Sequence, residues 1–152
     1  MQLSPHFSLS EFTISQTASR LGVDNTPDET VIARLKQTAE GMEEVRDLLG
    51  GKPILISSGY RSLAVNRALG SSDTSAHVKG YAVDFICPAF GSPLAICKAL
   101  SKSKLEFDQI IEEGTWVHIS FDPRMRGEVL TMKKGPPGSK PTYEQGLTRS
   151  AA

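Results

Sequence analysis

An aspartate stands in the middle of the most strand-like run of the chain, Tyr81-Ala82-Val83-Asp84-Phe85-Ile86. β-Branched and aromatic residues favour extended backbone, and alternation puts Ala82, Asp84 and Ile86 on one face, Tyr81, Val83 and Phe85 on the other. A carboxylate in such surroundings is costly to bury unless something compensates its charge, either a metal or a hydrogen-bonded structural partner. His77 precedes it by seven residues. That spacing would suit one helix face, but Gly80 and the β-prone residues argue against a continuous helix, so His77 is placed on a turn and Asp84 in a strand. In Trp116-Val117-His118-Ile119-Ser120, a second strand, Trp116, His118 and Ser120 share a face. Each of His77, Asp84 and His118 alone is ordinary in a structural role. Together, behind the polar loop 70–75, they read as a three-ligand zinc site with a fourth position left to water.

Two imidazoles and one carboxylate leave such a site with net positive charge, suited to acidifying a bound water and polarising a carbonyl. Hydrolysis also needs a base. Glu112 and Glu113 are the candidates; Glu112 ends the apolar run Ile110-Ile111 and is preferred, while Glu113 fits a solvated hairpin end. Arg61, at a strand end beside Tyr60, fits a clamp on a substrate carboxylate or an oxyanion, and equally a surface salt bridge.

The rest of the chain reads as scaffold. Ser8 and Glu11 form a capping-box pattern, and a short helix over 15–21 is stopped by Gly22. Thr26-Pro27-Asp28-Glu29 reads as cap, first-turn proline and capping-box glutamate of a long helix that ends at Gly50-Gly51. An inner strand over 53–57, a helix over 63–69, and a helix opened by Ser92-Pro93 follow. Residues 107–112 and 116–121 should form a hairpin, with an edge strand over 128–132. Residues 133–152 have the Pro/Gly composition of an irregular, mobile tail, which leaves one domain over 1–132.

Bulk composition narrows the partners. Seventeen basic residues balance seventeen acidic ones, so neither nucleic acid nor an anionic membrane is demanded, although from Arg124 onward the balance is mildly basic. No apolar run reaches the ~20 residues of a membrane span. The first residues have neither the basic nor the apolar region of a secretory signal, so the expectation is a protein made in the cytoplasm, without a membrane anchor. Cys87 and Cys97 lack metal-site spacing and read as small buried hydrophobes, with a structural zinc site shared with the histidines as the lesser alternative.

Ser57-Ser58-Gly59-Tyr60-Arg61-Ser62, the pattern Ser75-x-His77-x-x-Gly80-x-Ala82-x-Asp84, and Gln109-Ile110-Ile111-Glu112 with Trp116-Val117-His118-Ile119-Ser120 resemble the D-Ala-D-Ala carboxypeptidase family of zinc peptidases. That family shares its fold and metal site with hedgehog signalling domains. The N-terminal segments Phe7–Phe12 and Asp24–Pro27 resemble small phage and prophage members. The resemblance spans about residues 5–132 and implies a small α+β domain with a central antiparallel sheet. It implies zinc held by His77, Asp84 and His118, Arg61 at the oxyanion and Ser75 on the substrate. It also implies a glutamate base shortly before the last histidine. Some relatives carry that glutamate where Thr115 stands here, and the Gln-x-x-Glu match points to Glu112. Trp116, on the His118 face, is expected to touch substrate. The implied activity is cleavage of a peptide bond in peptidoglycan by a monomeric phage-type endolysin that reaches the wall after release. The rival expectation is a non-catalytic, zinc-stabilised wall-binding module. A zinc nuclease is disfavoured by the neutral charge.

Overall fold

The computed structural model describes Met1–Ser150. A small ribbon, β1 (Gln2–Ser4) with β2 (Phe7–Ser8), leads into α1 (Leu9–Thr13) and α2 (Gln16–Leu21). The Ser8–Glu11 capping box forms as expected, and Gly22 takes the left-handed conformation that stops α2. The long helix, α3 (Glu29–Leu48), starts later than its sequence signals suggest. Its cap is Asp28, whose carboxylate accepts from Val31 N, rather than Thr26.

The remaining elements are β3 (Leu55–Ser58), α4 (Leu63–Ala68), α5 (Ala76–Lys79), β4 (Ala82–Ile86), α6 (Pro93–Ser101), β5 (Gln109–Glu112), β6 (Val117–Ser120), β7 (Glu128–Lys133) and β8 (Thr142–Gln145). The six strands from β3 onward form one sheet in the order β3-β4-β6-β5-β7-β8. Three sequence expectations need correction here. The sheet is mixed, because β7 lies parallel to β5 while all other pairs are antiparallel. β3 is an edge strand, not an inner one. The stretch expected to be a mobile tail carries β8, which pairs with β7 from Leu130↔Gln145 to Lys133↔Thr142.

Alternation divides the sheet into two working faces. Val83, Phe85, Val117, Ile119 and Ile110 point into the main core, against Leu35, Ala39, Met42 and Val45 of α3 and Ile96, Cys97 and Leu100 of α6. Asp84, His118 and Ile111 lie side by side on the opposite face, in direct register. Among the described residues, no helix is long and apolar enough to cross a membrane.

Candidate metal centre

His77 reaches the site on the single turn of α5, and each fixed position of the Ser75-to-Asp84 pattern has a local reason. Ser75 caps the turn, its Oγ accepting from His77 N. Gly80 ends it in the left-handed conformation (φ +86°), where its missing side chain also makes room for Val31 of α3. The buried hydroxyl of Thr38, on α3, donates to the Gly80 carbonyl at 2.7 Å. The chain then turns directly into β4, where Ala82 lies opposite Ser120 and Asp84 opposite His118.

Three donor atoms converge. His77 Nε2 lies 3.3 Å and His118 Nδ1 3.0 Å from the same Asp84 oxygen, Oδ1, and the three ligand atoms all lie within 4.8 Å of one another. A tetrahedral ion with bonds of about 2.0–2.1 Å has ligand–ligand edges of roughly 3.3 Å, so this donor set fits zinc. His77 Nδ1 lies 2.7 Å from the Gly59 carbonyl. A carbonyl only accepts, so Nδ1 carries the proton and Nε2 presents its lone pair to the site. Arg61 donates to the other Asp84 oxygen at 3.3 Å and to Ser58 Oγ at 3.1 Å. The arginine therefore sits beside the ligand set, neither at the surface nor in an isolated salt bridge.

The electrostatics suit deprotonated ligands. Burial pushes the His77 imidazole below its ordinary value, against the pull of Asp84, which favours its charged form. Burial works hardest against the Asp84 charge, yet His77 and His118 outweigh it and hold that carboxyl well below the usual range. Among the described residues, neither cysteine joins the cluster; Cys87 and Cys97 are buried and free, and burial pushes the Cys97 thiol up to about 12.

A cavity of about 570 Å³ opens over this face and is lined by His77, Asp84, His118, Arg61, Ser75 and Trp116. It is also lined by Glu113, the less favoured of the two candidate bases, and by Tyr143, to which the sequence assigned no role. Glu112 is not there. The preference for Glu112 fails because the hairpin alternates: Gln109, Ile111 and Glu113 line the cavity, while Glu112 projects behind the sheet, 1% exposed. Its carboxylate accepts from Arg149 Nε and from Gly114 N. Glu113 instead accepts from the Trp116 indole N–H, and burial, with the nearby Asp84 charge, raises its carboxyl above the ordinary value. The signal for Glu113 was present in the sequence: carrying the alternation of the His118 strand across the hairpin selects it.

The site combines three donors placed to hold a metal, a carboxylate with raised proton affinity and an arginine around one cavity. That is the set of groups that acyl-transfer hydrolysis of a carbonyl substrate requires. The family model described as Peptidase M15 matches residues 5–120, or 116 of the 152 residues. No curated protein matches the chain at a significant level.

Proposed function

The chain belongs to the Peptidase M15 family, and from that premise we propose that it is a zinc-dependent peptidase that hydrolyses a peptide bond in bacterial peptidoglycan. The observation that carries this reading is the convergence of His77, Asp84 and His118 beneath a cavity that also holds Glu113 and Arg61. Zinc held by the three ligands would polarise the scissile carbonyl and acidify a water.

The chain's own groups supply the rest. Glu113, its proton affinity raised by burial, takes the proton of the attacking water and then delivers it to the leaving amine. The Trp116 indole N–H holds that carboxylate in one orientation. Arg61 keeps Asp84 in place from behind and presents cationic charge where the carbonyl oxygen gains negative charge. Ser75 accepts from His77 N through its oxygen, so its own proton remains to be donated to the substrate backbone. A fold shared with hedgehog domains and a phage endolysin role, acting on the wall after release, complete the reading.

The test is release of new amino groups from purified peptidoglycan, followed by mass spectrometry of the fragments to locate the bond. Glu113→Gln should bind zinc with wild-type stoichiometry and lose turnover by roughly 10²–10⁴-fold, the usual contribution of a general base. Wall binding with no amine release would favour the non-catalytic module.

A further inference from the structure

Glu113 and Trp116 stand on a four-residue turn whose second residue, Gly114, is in the left-handed conformation (φ +88°). Within that turn the backbone is closed by the bond from Glu113 N to the Trp116 carbonyl. Glycine gives such a turn freedom as well as shape. What restrains it comes from behind the sheet. Glu112 Oε2 accepts from Gly114 N, and Oε1 accepts from Arg149 Nε at 2.7 Å, while Arg149 Nη2 donates to the Met132 carbonyl of β7 at 2.6 Å. The guanidinium thus ties the base of the turn to the neighbouring strand through a carboxylate that is itself fully buried.

Arg149 is in turn held in place. Gly146 N donates to the Val129 carbonyl, Thr131 Oγ1 donates to the Gly146 carbonyl, and Thr148 N donates to Thr131 Oγ1. The same β7–β8 ribbon places Tyr143 in the cavity wall. All of this lies beyond residue 120, where the family match ends.

We infer that Arg149 is a positioning residue of the active site: acting through Glu112 and Gly114, it fixes the turn that carries Glu113 and Trp116. Only the catalytic readout of this assignment rests on the peptidase reading. Trp116 is the single tryptophan of the chain, so its fluorescence reports the turn directly in the metal-free 152-residue chain.

The experiment compares wild type with R149A, R149K and the double variant R149A/E112Q, the last removing the buried charge that R149A would strand. Acrylamide quenching of Trp116 should rise in R149A and in the double variant, and R149K, which keeps a cation beside Glu112, should recover part of the difference. In the zinc-loaded forms, kcat/KM should fall on the order of 100-fold, the scale of a misplaced catalytic group, with kcat affected more than KM. Native circular dichroism with wild-type quenching in the double variant would overturn the assignment. Loss of fold in both R149A and the double variant would also overturn it, by making the tie a general structural one. A wild-type protein that releases no amines would refute the peptidase reading, while the quenching data would still decide the role of Arg149.

Discussion

Gly59→Ala tests the construction of the metal centre without touching a ligand. A Cβ at Gly59 would lie 2.5 Å from the Phe12 carbonyl oxygen and 2.9 Å from Phe12 Cα, both backbone atoms of α1. Relieving the first contact to even 3.0 Å requires a shift of at least 0.5 Å (3.0 − 2.5). Neither side yields readily, because Tyr60 N is bonded to the same Phe12 oxygen at 2.7 Å. The Gly59 carbonyl is also the acceptor for His77 Nδ1, at 2.7 Å. Adding the shift stretches that bond to about 3.2 Å, the outer limit of a good N–H···O bond. The His77 ring then loses the partner that sets its tautomer and tilt. Loss of such outer partners typically lowers metal affinity about 10–100-fold, or roughly 1.4–2.7 kcal/mol. Overpacking should add about 1–3 kcal/mol of destabilisation. Zinc affinity would be measured by competition with a chromogenic chelator and stability by thermal unfolding. Gly22→Ala is the control, since its added Cβ meets no atom within 4 Å, although φ is +66°; it should lose stability and keep zinc affinity. A folded Gly59→Ala protein with unchanged zinc affinity would refute the reasoning.

Other outcomes follow from the same geometry. Gly80→Ala forces a left-handed backbone on a residue with a side chain and brings Cβ to 3.0 Å from Val31; it should cost about 1–2 kcal/mol or more in chemical denaturation and also weaken zinc binding. Trp116→Phe removes a hydrogen bond that lowers the Glu113 proton affinity, so the acid limb of kcat/KM against pH should move to higher pH; an unmoved limb would disconnect Glu113 from that limb. Asp108 is fully buried, and despite burial its carboxyl is held below the ordinary range by Arg126 and Arg124. A depressed native value stabilises the fold above the unfolded value of about 3.9 and is lost as pH falls through the native one. Asp108→Asn should therefore lose roughly 1.5–3 kcal/mol at neutral pH, with the gap to wild type closing in acid.

The convergence of His77, Asp84 and His118 was legible because two independent patterns agree on them. Alternation puts Asp84 and His118 on single strand faces, and the Ser75-to-Asp84 motif requires a cap, a left-handed glycine and a small residue at fixed offsets. Glu112 misled because an apolar run ending in a carboxylate looks the same from either side of a sheet; its face follows from the pairing Ile111↔His118, which ties the run to the alternation of the His118 strand. β8 was hidden by composition. Thr142–Gln145 follows a Pro/Gly-rich connection, and its four residues are all exposed, so no hydrophobic alternation marks it. Its pairing is dictated by the free edge of β7, which single-chain periodicity does not register. The parallel β5–β7 pair was missed for a related reason: strand order depends on long-range packing, not on any local signal.

The two-faced sheet also determines where this chain can absorb changes in length. One residue inserted or deleted between Val117 and Ser120 would turn His118 toward the hydrocarbon side and offer a valine or isoleucine to the ion instead. Such a lesion would abolish zinc capture while leaving the composition almost untouched. The exposed connection over 134–141 is under no such constraint, so natural length variation in this lineage should accumulate there and stay out of the strands that present the ligands.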